Sequence, residues 1–219
     1  MASIPLPNGA QVALATTIAA ATTISAISNA NPAEATAAGH AFTAGDIILL
    51  NSGWTKVDNC VVRVADPTSG AFDIEGLNSS NTSRFPVGGG AGTARKLTGW
   101  TQLPKIPTFE MTGGDAKSTT ASYIDFEKDF EIFTGTNPER LNFTISYQPG
   151  SAAYDALVEA GESGVIQVVR LVLKDGSTLY YPGQLFFNKA PKTTKDQEMV
   201  NNVSLALQGE ITRYAKLVP

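Results

Sequence analysis

The chain has 219 residues, a net charge of −4 and a pI near 5.0, so it has room for one large or two small domains and is too acidic to coat nucleic acid through phosphate contacts. Its one cysteine, Cys60, excludes an internal disulfide and a multi-cysteine zinc site. Its one histidine, His40, sits in a loop before Gly45-Asp46, which leaves a histidine-based triad without support.

From Ala10 to Ala30 the chain is rich in Ala and Thr. No Lys or Arg precedes Lys56, so the basic region of a signal peptide is missing. Serines and threonines interrupt the run, and no membrane span is expected. The stretch reads as a long β-hairpin or strand pair, Gln11 to Ile18 followed by Thr22 to Ile27.

Residues 29–98 have the texture of a small all-β module. Ile47–Leu50, Cys60–Val64 and Ala71–Ile74 are its clearest strands, with Cys60 a buried structural thiol. Asn78 to Ser83 and Gly88 to Gly92 read as solvated loops. The latter lacks the G-x-x-x-x-G-K-[ST] order of a phosphate cradle and is taken as a linker. With few large apolar groups, the module is expected to have a modest core that leans on the rest of the chain.

Trp100 to Leu103 returns to a main body made of residues 1–28 and 99–219. Ile106 to Met111 predicts a strand, near an edge because of Pro104 and Pro107. Gly113 to Asn137 is polar and glycine-bearing, yet carries Tyr123, Ile124, Phe126, Phe130, Ile132 and Phe133. It either packs back on the sheet or meets another subunit, and the second is preferred. Asp125, Glu127, Asp129 and Glu131 alternate in a strand-like run. Such a face could hold a cation, but Lys128 interrupts it, and a solvated or DNA-repelling face is the better reading.

The stretch Leu141 to Leu207 organises the rest. Leu141, Phe143, Ile145 and Tyr147 alternate with Asn142, Thr144, Ser146 and Gln148, the period of a strand with one buried face. Pro149-Gly150 stops it, Ser151 caps a helix, and Gly161 and Gly164 end that helix. Val165 to Leu173 is apolar on both faces and predicts a strand covered on two sides. Asp175-Gly176 signals a two-residue hairpin, and Thr178 to Asn188 returns, with a bend or bulge at Pro182-Gly183. Met199, Val203, Leu205 and Leu207, alternating with Asn202, Ser204, Ala206 and Gln208, give a last strand. No catalytic residue, metal ligand set or cofactor site emerges.

The order of these parts resembles the major tail tube proteins of lambda-type, long flexible-tailed phages. The resemblance rests on Trp100-Thr101-Gln102-Leu103-Pro104-Lys105-Ile106, the long acidic-aromatic loop, the strand-Pro-Gly-helix junction from Leu141, and the Lys174-Asp175-Gly176 hairpin. It implies a mainly β fold: a tail-tube-type β-sandwich or open barrel with one flanking α-helix, here with a small all-β domain inserted on its outer surface. It further implies a non-enzymatic virion protein without cofactors. Six copies would close into rings that stack into the tail tube conducting DNA from capsid to host. Partners would be other copies and the tail-tip, tape-measure and tail-terminator proteins, with assembly in the host cytoplasm and no membrane.

In that reading Met111, Tyr123, Ile124, Phe126, Phe130, Ile132 and Phe133 form the ring-to-ring contact loop. Asn142, Thr144, Ser146, Gln148, Asn202 and Ser204 are polar strand faces toward the lumen or a neighbouring subunit. A ring of six carries a formal charge of about 6 × (−4) = −24, which keeps DNA sliding rather than bound. The alternative is a non-enzymatic module recognising glycans or a host surface, with an exposed Trp54 as its anchor.

Overall fold

The computed structural model describes residues 9–216. Strands dominate it, as the alternating patterns predict. The first eight are β1 (Gln11–Ile18), β2 (Thr22–Ile24), β3 (Ala26–Ile27), β4 (Ala33–Thr36), β5 (Ile47–Ser52), β6 (Cys60–Ala65), β7 (Ala71–Ile74) and the long β8 (Gly92–Leu103). The arm strands fall where expected but do not form a hairpin. β1 and β2 run end to end along β8, from Val12↔Leu103 to Ile24↔Gly92.

That arrangement closes a barrel. β2 and β3 act as one interrupted strand: β2 pairs with β8 and β3 with β4. The circuit continues β4–β7–β6–β5 and returns to β8 at Ile48↔Lys96. Closure leaves no free edge. The barrel therefore takes in Thr22–Ile27, upstream of the expected start at residue 29. Its core is larger than predicted, with Ile24, Phe42, Ile48, Leu50, Trp54, Phe72 and Ile74 buried together.

Three readings fail here. Trp54 is only 2 % exposed, edge-on to Phe85, and its indole N–H donates to Pro86 O at 2.8 Å, so it cannot anchor a glycan. The glycine run is not a solvated linker: Gly90 is buried, and a Cβ there would lie 2.9 Å from Ile27 Cβ and 3.1 Å from the Trp54 ring. Ser79 likewise leaves its solvated loop. It is buried, donates to Ser28 O at 2.6 Å and accepts from Ala30 N at 3.1 Å.

The main body follows: β9 (Phe109–Thr112), β10 (Ala116–Ala121), β11 (Phe130–Thr136), β12 (Arg140–Ser146), α1 (Ala152–Ser163), β13 (Ile166–Val172), β14 (Thr178–Phe187), β15 (Val200–Leu207) and β16 (Thr212–Tyr214). The second half of β8 starts a sheet in the order β8-β1-β13-β14-β15-β12-β9. This sheet wraps one core, in which Val12, Leu14 and Leu103 from one end meet Leu141, Phe143 and Ile145 from the other. Helix α1 adds Ala153, Leu157 and Ala160. Ser151 caps it by accepting from Tyr154 N at 3.2 Å, and Gly164 ends it in the left-handed region; Gly161 lies inside the helix, against Phe187.

Successive residues of a strand face opposite ways, so Val169 joins this core while Val168 looks outward. There Val168, Tyr180 and Ala15 meet Leu49 and Val61 of the barrel and Leu97 of β8, where the two lobes join. β13 is thus covered on both sides, as its sequence predicts.

Two turns differ from expectation. Gly176 alone has positive φ, 81°; Gly176 N donates to Leu173 O at 2.9 Å, and the Asp175 carboxylate accepts from Ser177 N at 2.8 Å. The loop is the three-residue type, with glycine at its left-handed position. Pro182-Gly183 makes no bulge, since the β13–β14 register runs unbroken from Ile166↔Gln184 to Val172↔Thr178. On its other side β14 changes partner there, from β16 to β15, so proline costs no ladder bond.

Candidate assembly surfaces

β10 and β11 form a two-stranded hairpin that pairs with no other strand among the described residues. It grows from β9 and β12, and its large side chains point to solvent: Tyr123, Ile124, Phe126, Phe130, Ile132 and Phe133 are all exposed. Tyr123, Phe126 and Phe130 cluster edge to face, with ring centres 6.5 and 5.2 Å apart. Phe130 and Ile132 share one face of β11, and Phe133 is on the other. Met111, also exposed, sits on edge strand β9. The acidic residues do not share a strand face: only Glu131 is in β11, and the others occupy the turn. Ser122 donates to Asp129 and Ser118 to Glu131.

The polar alternation of β12 comes together with that of β15. Asn142 opposes Ser204 and Thr144 opposes Asn202. Ser204 Oγ donates to Asn142 Oδ1 at 2.9 Å, Asn142 Nδ2 to Thr112 Oγ1 at 3.0 Å, and the Thr108 and Thr144 hydroxyls are 2.8 Å apart. The strip is an uncharged network on the face away from the main core. Ser146 does not join it: it is buried and donates to Lys105 O at 3.3 Å. Gln148 lies beyond the strand end and is half-buried.

Sequence reasoning missed the joint between the lobes. Thr212 Oγ1 donates to Val61 O at 2.6 Å, and Arg63 Nη1 to Ala215 O at 2.9 Å. Arg63 also pairs with Glu75, which raises its already high pKa. Burial pushes the Tyr214 phenol up to about 12. It also missed Arg170, whose guanidinium carbon lies 4.2 Å from the centre of the Trp100 ring. Arg170 Nε is buried without a hydrogen-bond partner, and burial lowers the side chain's pKa.

The residues considered for chemistry are structural. His40 Nδ1 accepts from Phe42 N and Nε2 meets Ala71 O, both at 3.1 Å, with the ring stacked on Phe42. Cys60 is buried, and burial pushes its thiol pKa up. Among the described residues no group of three or more His, Cys, Asp or Glu is placed to hold a metal ion.

The sequence profile of the family described as "Phage tail tube protein, TTP" matches residues 52–216. The chain belongs to the phage tail tube protein family. It is a structural protein of the virion tail, and it assembles with other tail proteins. No curated protein matches the sequence. Among solved structures, the tail tube protein is similar to a chain from the tail of an empty gene transfer agent particle with C6 symmetry, at 8 % identity and a TM-score of 0.39 over 53 % of this chain and 87 % of that one. A chain of the native gene transfer agent virion matches at 7 % identity and 0.39, over 53 % and 89 %. A chain of the six-fold symmetrised anti-feeding prophage baseplate matches at 10 % and 0.38, over 55 % and 87 %. These likenesses are too weak to add to the family match.

Proposed function

We propose that six copies of this tail tube protein close into a ring, that rings stack, and that DNA passes through the bore without specific binding and without any catalytic step. The observation that carries this reading is the β10–β11 hairpin. A lone two-stranded hairpin is marginal in water, and one that exposes a cluster of aromatic rings needs a partner surface to cover them. Met111, Tyr123, Ile124, Phe126, Phe130, Ile132 and Phe133 supply that contact between stacked rings.

The strip of Asn142, Thr144, Asn202 and Ser204 faces the bore. Its four side chains offer hydrogen bonds and no charge; the cations at its border are Arg140, which precedes Asn142 on the same face, and Lys192, which lines a pocket with Thr144 and Asn202. The barrel of residues 22–96 is a second domain on the outside of the tube, and residues 97–216 with β1 form the tube domain. The contact between the lobes supports this division, because the barrel packs on Ala15, Val168 and Tyr180 of β1, β13 and β14 and not on the strip of β12 and β15. Assembly takes place in the host cytoplasm with tail-tip, tape-measure and tail-terminator proteins.

The test is negative-stain electron microscopy of the purified protein and of a Phe126→Ser, Phe130→Ser variant. The natural chain, with tail-tip complex as nucleus, is expected to give hollow tubes; the variant is expected to stay as folded single particles. A variant that forms tubes as well as the natural chain overturns the contact assignment.

A further inference from the structure

We propose that Arg170 and Trp100 form a seat for a carboxylate supplied by the hairpin tip of a second copy of this chain. This rests on the hairpin being a contact between copies, and it names the surface that receives it.

Arg170 lies in β13 between Ala13 of β1 and Tyr180 of β14. Its guanidinium stacks over Trp100, and Nε is buried with no partner among the described residues. Tyr180 partly offsets its burial, and Arg170 forms no ion pair with a carboxylate among the described residues. The buried Arg63 and the half-buried Lys96 are matched, by Glu75 and by Asp46. A desolvated cation with no anion is costly. The ring face recovers part of that cost, but it takes no hydrogen bond from the planar N–H fork, whose geometry suits a carboxylate. Arg and Trp are both enriched among the residues that carry most of the binding energy at the centres of protein interfaces.

The placement fits a contact between copies. Trp100 belongs to the half of β8 whose outer side pairs with no strand among the described residues. The hairpin grows from β9, at the opposite end of the same sheet. Head-to-tail contacts, around a ring or from ring to ring, join unlike surfaces of this kind. The tip is acidic and apolar together. Asp129 and Glu131 are held by serines, whereas Asp125 and Glu127 are bonded to nothing within the described chain, beside exposed Ile124 and Phe126.

Four variants of the full chain test the seat: Arg170→Gln, Arg170→Glu, the tip pair Asp125→Lys with Glu127→Lys, and the tip pair combined with Arg170→Glu. Melting reads the monomer, and sedimentation with microscopy reads tubes. Arg170→Gln is expected to melt no lower than the natural chain while tube yield falls about tenfold or more; Arg170→Glu, which leaves an unpaired carboxylate in the same place, is expected to melt lower and to lose tubes similarly. The tip pair, which leaves Arg170 untouched, is expected to fall similarly, and the combination is expected to recover. Normal tube yield from Arg170→Glu and from the tip pair overturns the proposal. So does a lower melting point with undiminished tubes, the mark of a purely internal stack. A chain with residues 115–136 replaced by a short glycine linker separates the two readings. If it still forms tubes, the hairpin contact itself is wrong; if it does not while Arg170→Glu does, only the seat is wrong.

Discussion

The backbone N–H of Arg63 donates to the hydroxyl of Tyr214 at 3.1 Å, and the guanidinium of Arg63 lies 4.7 Å from the centre of the Tyr214 ring. One arginine of the barrel thus holds both the Tyr214 ring and, through Ala215 O, the backbone just past β16 of the tube domain. Besides the strand β8 that runs through both lobes, they are tied by the three-residue strand β16.

Tyr214→Phe keeps the ring and removes the acceptor for a shielded backbone N–H. It is expected to cost about 1–2 kcal/mol in equilibrium unfolding. Removing the chain from Thr212 onward also uncovers Tyr180 and Val61, and is expected to split unfolding into two transitions, one per lobe, in calorimetry.

Inside the barrel, Gly90 is the seat of Trp54. Gly90→Ala pushes a methyl group into the indole and Ile27, and is expected to destabilise by about 1–3 kcal/mol, with a change in the near-UV signal of tryptophan. Trp54→Ala leaves a cavity in the same place and is expected to cost about 3–5 kcal/mol.

Asp46 accepts from Thr43 N at 2.8 Å and pairs with Lys96 at 2.6 Å. Burial acts to raise its pKa, but the bonds from Lys96 and Thr43 outweigh burial, and the carboxyl ends below its ordinary value. Its stabilising effect is therefore full at neutral pH, above the unfolded-chain value, and is lost as pH falls through the lower folded value. Asp46→Asn is expected to cost about 1 kcal/mol at neutral pH, and the gap to the natural chain is expected to close in urea unfolding as pH falls below the ordinary carboxylate range.

Local patterns were legible where a residue's role depends on its near neighbours. The alternation from Leu141 to Ile145, the Pro149-Gly150 stop, the Ser151 cap and the exposed aromatics of the hairpin all follow from period and composition. The barrel was not legible, because its closure depends on β2 meeting β8 and β3 meeting β4 across many residues of chain. Gly88 to Gly92 resembled a linker because glycine has no side chain to signal that another residue packs against it. The clamp at Thr212–Tyr214 is too short to show a period. Arg170 sits in an apolar strand, where one charged residue looks like an interruption rather than a socket.

The strip on β12 and β15 gives the last prediction. Thr144→Lys with Asn202→Lys adds two cations per subunit at cross-strand neighbours, about twelve per ring if the ring holds six copies. Both side chains look away from the main core, so folding is expected to be unchanged within about 0.5 kcal/mol. If the strip lines the bore, tubes form as before, but they now retain short duplex DNA at low salt and release it as salt rises, because lysine contacts to phosphate exchange for counterions. Filter retention of labelled DNA by purified tubes at two salt concentrations measures this directly. Failure of the folded variant to form tubes moves the strip to a subunit contact, where like charges brought face to face oppose closure.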